Sequence, residues 1–214
     1  VVDDAGGNVA LRGPMPARLL ALLVAAGRSP VSVDDLVIEL WTTSERPADP
    51  VAAIRTYVAR LRSSLGAGAV VTGTGTYALG PVDTDAARFE DLVERARRSS
   101  GSPLVADIWR QALDLWRGHA FGDYVDSDLI RPEANRLDEL RAEATEAWFD
   151  ARLAAGEGRE LAADVDRAVA EFPLREGFRV QQMTVLSRAG RPAEALRAFQ
   201  EFRGDLTEIG LEPS

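Results

Sequence analysis

Between residues 14 and 26 the chain is apolar almost without interruption, and from Val33 to Leu65 its apolar positions recur three and four apart. Pro14 and Pro16 open the first stretch. Proline is harmless there, because the N–H groups of a helix's first turn have no partner inside the helix. Gly27 is placed to end that helix. A second helix begins at Ser32, with Asp35 three residues on in a capping-box spacing, and Val33, Leu36, Val37, Leu40 and Trp41 make its apolar face. The polar stretch 42–48 then separates it from Asp49 and Pro50, a cap and a first helical residue. This third helix runs to about Leu65 and ends at Gly66, with Ile54, Val58, Leu61 and Leu65 on one side.

Period-two segments bracket these helices. Val9-Ala10-Leu11 reads as the end of a short strand, and a short β segment is expected between the first two helices. Val70-Val71-Thr72 and Tyr77-Ala78-Leu79 read as two strands joined through Gly73-Thr74-Gly75. Gly80-Pro81 marks a boundary, and from Asp83 onward the pattern is helical throughout. Phe89, Leu92, Val93 and Ala96 form one stripe; Ile108, Ala112 and Leu115 form another, with Trp109 and Trp116 seven residues apart. A long helix is predicted over 132–154, and three more near 159–171, 175–189 and 192–208. Gly158-Arg159 and Gly190-Arg191 recur 32 positions apart, each before an Ala-rich helix, close to the roughly 34-residue tetratricopeptide period. The predicted fold class is mainly α: a winged helix-turn-helix over 1–80, then an all-α, tetratricopeptide-like domain over 81–214.

Composition narrows the chemistry. The 214 residues include no Cys, no Lys and a single His, His119. Thiolate metal sites, disulfides, a phosphate-binding P-loop lysine and Schiff-base catalysis are therefore unavailable. Gly73-Thr74-Gly75 lacks the third glycine of a dinucleotide fingerprint and lies between strands. No reaction, cofactor or metal is inferred, and His119 is assigned no catalytic role. No apolar run approaches the ~18 residues of a membrane span. The run 19–26 carries no clear cleavage signature either, so a cytoplasmic protein is expected. The chain begins at Val1 rather than Met, as a fragment does.

The net charge of −9 argues at first against a polyanion partner. Residues 1–80, however, hold 7 Arg and 7 acids, whereas 81–214 hold 18 Arg and 27 acids, so the excess acid belongs to the helical part. The third helix carries Arg55, Arg60 and Arg62 and no acid after Asp49. Arg55, Thr56 and Arg60 are candidates for base edges or groove-side sugar and phosphate, and Arg62 for a phosphate. Thr72, Thr74 and Thr76 would let the wing touch the backbone or the minor groove. The same arginines could also form a plain solvated helix face. Arg95, Arg97 and Arg98 fit a cationic helix C-terminus better than a binding patch. Trp109, Trp116 and the pair Trp148-Phe149 fit core packing.

The segment Ile54-Arg55-Thr56-Tyr57-Val58-Ala59-Arg60-Leu61-Arg62 resembles the recognition helix of OmpR/PhoB-type winged helices. Ala112-Leu113-Asp114-Leu115-Trp116-Arg117-Gly118, Phe172-Pro173-Leu174-Arg175-Glu176, Ala189-Gly190-Arg191-Pro192 and the closing Gly210-Leu211-Glu212-Pro213 follow it in order. Together they resemble the Streptomyces antibiotic regulatory protein (SARP) family, with its bacterial transcriptional activation domain. The resemblance implies a transcriptional activator that binds promoter direct repeats as a pair of copies on double-stranded DNA and recruits RNA polymerase. In related winged helices the loop equivalent to 42–49 meets polymerase, which points to Glu45 and Arg46; the loop's plainer role is to connect two helices. Larger relatives add an ATPase or a phosphopeptide-binding domain. Two departures stand out: Thr76 where the family has Gly before the wing tyrosine, and a shortened start that leaves the N-terminal sheet incomplete. The competing reading is a protein-interaction scaffold whose winged helix does not bind DNA. Such a scaffold has no need of an acid-free, arginine-bearing third helix.

Overall fold

The computed structural model describes residues 13–41 and 46–211. The strand expected at Val9-Ala10-Leu11 and the loop residue Glu45 lie outside the described residues. The chain forms two compact units, neither continuous in sequence: Val1–Asp91 with Leu115–Leu140, and Leu92–Asp114 with Arg141–Ser214.

The first unit contains the winged helix. Its elements are α1 (Pro14–Ala25), β1 (Val31–Ser32), α2 (Val33–Leu40), α3 (Pro50–Leu65), β2 (Val70–Gly73) and β3 (Thr76–Leu79). It also holds the start of α4 (Asp85–Arg98) and of α6 (Arg131–Ala154). The near-continuous apolar run of α1 is explained by burial on several sides, with Leu19, Leu20, Leu22 and Leu23 all buried. They meet Leu36 and Leu40 of α2 and Ile54, Val58 and Leu61 of α3 in a core to which all three helices contribute.

Local chemistry sets the helix starts. Ser32 ends β1 and caps α2 at once: its hydroxyl oxygen accepts from the Asp35 N–H at 3.0 Å and donates to the Asp35 carboxylate at 2.6 Å. Asp49 caps α3 by accepting the Ala52 N–H at 2.9 Å, with Pro50 as the first helical residue.

The sheet is antiparallel in the order β1-β3-β2. Its register pairs Val31 with Tyr77, Thr72 with Tyr77 and Gly73 with Thr76. The hairpin turn is Thr74-Gly75, and its positive φ falls on Gly75 at 67°. Thr76 is thus an ordinary strand residue, and the departure at this position leaves the turn intact. Gly73 makes room for it, since a Cβ there would come within 2.5 Å of Thr76 Oγ1. Beyond the hairpin, Gly80 lies so close to the Gly68 carbonyl that a Cβ would stand 1.8 Å from its oxygen.

The second unit is helical. It holds α5 (Val105–Leu113), α7 (Ala162–Glu171), α8 (Glu176–Arg188) and α9 (Pro192–Glu208), with the ends of α4 and α6. Phe149, Leu153, Leu161, Val165, Val169, Phe178 and Val185 form its core. The Phe149 and Phe178 rings meet edge to face, 6.1 Å apart. Arg188 of α8 closes the end of α6, its Nη1 donating to the carbonyls of Leu153 at 2.6 Å and Glu157 at 2.8 Å. The Leu153 carbonyl also accepts the Gly156 N–H at 3.0 Å, so Arg188 ties the last turn of α6 to the segment that follows it. The 32-residue recurrence falls where helices restart. Gly158 precedes a 3-10 turn, Arg159–Leu161, that runs into α7, and Gly190-Arg191 leads directly into α9.

One stripe needs correction. Leu115 does not continue Ile108 and Ala112, because α5 ends at Leu113. Trp109 is buried in the second unit, while Trp116 belongs to the first, edge-on to Phe89 at 5.1 Å. Trp109 is a core residue, whereas Trp116 is half-buried against Phe89, and the two lie in different units. Mainly-α architecture, with a small winged sheet ahead of the helices, matches the expected fold class.

Candidate nucleic-acid interface

The helix α3 divides cleanly by burial. Ile54, Val58, Leu61 and Leu65 face the core, and Ala52, Arg55, Thr56, Ala59, Arg60 and Ser63 are exposed. At 3.6 residues per turn, Arg55 and Arg60 stand about 140° apart around the axis and about 7.5 Å apart along it. Ala59 and Ser63 lie between them. The centre of the exposed face is therefore built of small side chains, with a guanidinium at each margin. A groove floor can approach such a face closely while its phosphate walls meet the two cations.

Within the first unit, charge pairing separates these arginines from five others. In the first unit Arg18 is bound to Asp126, Arg88 to Asp83, Arg117 to Asp85, Arg131 to Asp128, and Arg136 to Glu90 and Glu133. Arg136 is raised well above its ordinary range, chiefly by its hydrogen bond to Glu133. Arg28, Arg46, Arg55 and Arg60 have no ion-pair partner among the described residues, and all four are exposed. Pattern reading passes over Arg28, which sits in the turn between α1 and β1 without any periodicity to mark it.

Arg62 is placed differently. Its Nε and Nη2 donate to the Val70 carbonyl at 3.0 and 2.7 Å, and Nη2 donates to Thr72 Oγ1 at 2.7 Å. It is a strut between α3 and the first wing strand. Thr72 is exposed, and by accepting from Arg62 it keeps its own hydroxyl proton for another partner. Thr74 is exposed at the turn, whereas Thr76 is half-buried in β3 opposite Gly73. Thr56 has already donated its proton to the Ala52 carbonyl at 3.0 Å, so it can offer only lone pairs and a methyl group outward. Asp34 and Asp35 are exposed on the first turn of α2, where the Val33 N–H meets the Gly75 carbonyl at 2.9 Å, and place negative charge beside the wing. Arg46 is exposed just before α3. No helix among the described residues is long and apolar enough to cross a membrane.

Comparison with known proteins agrees with this architecture. Residues 84–214 match the bacterial transcriptional activator domain family. The regulatory protein DnrI of Streptomyces peucetius is 34% identical over all of this chain, which spans 85% of DnrI. The regulatory protein AfsR of Streptomyces coelicolor is 35% identical over 97% of this chain, which spans only 22% of AfsR. A solved structure of Mycobacterium tuberculosis EmbR, in complex with a low-affinity phosphopeptide, superposes over 98% of this chain and 58% of that one. Its TM-score is 0.84 at 26% identity. With a winged helix in front of the matched domain and regulators of this type aligned along its whole length, the chain belongs to the SARP-type family of bacterial transcriptional activators.

Proposed function

We propose that this protein is a sequence-specific DNA-binding activator that occupies direct repeats upstream of a promoter and brings RNA polymerase to it in the bacterial cytoplasm. The observation that carries the reading is the pair Arg55 and Arg60, cations with no ion-pair partner among the described residues, at the two margins of an exposed face of small residues on α3. In this reading residues 1–80 bind DNA and 81–214 serve activation. Arg55 and Arg60 meet phosphate or guanine edges. Thr56 meets a base amino group or a thymine methyl, since its proton is spent. Thr72 and Thr74 touch the backbone from the wing. Arg62 contributes by holding Thr72 in place, and Thr76 by completing the hairpin. The loop 42–49, through Glu45 and Arg46, meets polymerase. The protein acts as a regulator and not an enzyme, in keeping with its relatives' names as regulatory proteins.

The test is a mobility-shift series on a promoter fragment with Arg55→Ala and Arg60→Ala. Each substitution should weaken binding about tenfold or more while the melting temperature stays put. Parent-like binding by both variants to every fragment would refute the assignment. Footprints should show two directly repeated half-sites; an isolated half-site or an inverted repeat would count against tandem occupancy.

A further inference from the structure

The first unit carries a cleft of about 350 Å³ that DNA recognition does not use. It opens beside the first turn of α4, and its walls include Val24, Ala86, Phe89, Trp116 and Leu137. The volume falls at the lower end of the range for small-molecule sites. Phe89 and Trp116 stand edge to face at 5.1 Å and 86°, giving one wall an aromatic face and an aromatic edge. The rim includes Phe121, the one non-glycine residue with positive φ among the described residues, at 59°. Residues held in that region cluster at ligand clamps and similar functional places.

Hydrogen-bonding capacity at the mouth is unequal. Asp85 uses one oxygen on the Ala86 N–H at 3.1 Å and the other on Arg117 Nη2 at 3.0 Å. Among the described residues Arg117 makes that one bond, and it is 66% exposed, so its Nε and Nη1 donors face solvent. The mouth thus offers donors, and a guanidinium fork favours a carboxylate or a comparable anion.

We infer that this cleft is a binding site for a small aromatic acid: the rings lie against Phe89, Trp116 and Leu137, and the anionic oxygens accept from Arg117. Two or three fused or linked rings fit the volume. The site lies against the last turn of α1, the helix that packs on α3. The inference stands apart from the DNA-binding reading and can fail without it.

The test uses 8-anilinonaphthalene-1-sulfonate and its uncharged analogue N-phenyl-1-naphthylamine, both followed by fluorescence on the full chain. The parent should bind one sulfonate probe saturably. Ala86→Phe, which fills the cleft, should abolish binding of both probes, with circular dichroism to check that it folds. Arg117→Gln alters an exposed side chain and guards against a folding failure in the first variant. It should weaken the sulfonate probe about tenfold while changing the neutral probe less than twofold, the signature of one lost charge-assisted bond. Non-saturable binding by the parent, parent-like binding by a folded Ala86→Phe, or equal effects of Arg117→Gln on the two probes would each overturn the inference.

Discussion

Arg62→Ala separates two roles for one side chain. Position on a basic recognition helix suggests a phosphate contact; the structure makes Arg62 a strut to the wing. Its two nitrogens on the Val70 carbonyl count as a single forked bond, and the bond to Thr72 Oγ1 is a second. Hydrogen bonds to a charged group contribute about 1.5–3 kcal/mol each when buried. Arg62 is half-exposed, so water replaces part of the loss and a total of about 1–2 kcal/mol is expected. For a chain of this size that is a fall in melting temperature of about 2–8 °C. Hydrogen exchange should accelerate at the amides of β2 and β3 before it does in α1. Binding to a promoter fragment should weaken, but the slope of log K against log salt should stay as in the parent. Each neutralised phosphate contributes about −0.9 to that slope. Arg60→Ala should show the converse: an unchanged melting temperature and a slope shallower by about 0.9. A parent-like melting temperature for Arg62→Ala, combined with a shallower slope, would refute the strut and restore the phosphate contact.

Other perturbations probe the frame around the interface. Gly80→Ala should destabilise the first unit by about 1–3 kcal/mol, as forced overpacking does, because its Cβ would collide with the Gly68 carbonyl; thermal melts within 0.5 kcal/mol of the parent would contradict that close approach. Arg188→Met keeps the stem but strips the donor from the end of α6. A loss of about 1–2 kcal/mol is expected, read as earlier urea unfolding of the helical unit, and no change would mean that water caps those carbonyls equally well. Glu160 and Glu194 are held below the ordinary carboxylate value of 4.5, Glu160 chiefly by backbone N–H donors and Glu194 by its bond to Arg191. A carboxyl depressed in the folded state adds stability that is fully present above that value and is lost as pH falls through the folded one. Acid unfolding should therefore steepen below about pH 4.5, less so in Glu160→Gln with Glu194→Gln, and identical acid titrations of parent and double variant would exclude the contribution.

What could be read from residue order alone is what depends on near neighbours. Ser32, Asp49 and Gly66 mark helix ends because a cap acts within three or four residues. The 4, 3, 4 spacing of Ile54, Val58, Leu61 and Leu65 selects the buried side of α3 because helical geometry repeats regardless of what packs on it. The exposed pair Arg55 and Arg60 follows by subtraction. The order of the motifs along the chain carries the family resemblance without any tertiary contact. Arg62 was legible as a cation but not as a strut, since its partners Val70 and Thr72 come within reach only when the hairpin folds back on α3.

Tertiary structure alone decided the rest. Trp109 and Trp116 share a heptad spacing, yet the end of α5 at Leu113 sends them to different units. Arg18 finds Asp126 at a separation of 108 residues, and Phe89 meets Trp116 across a break in helical structure. The two compact units themselves interleave along the chain. Helix periodicity and capping are encoded within a few residues, so the sequence by itself determines them. Which side chains become free cations, struts or walls of a cleft depends on contacts between distant segments, and those exist only once the apolar faces have been buried against one another.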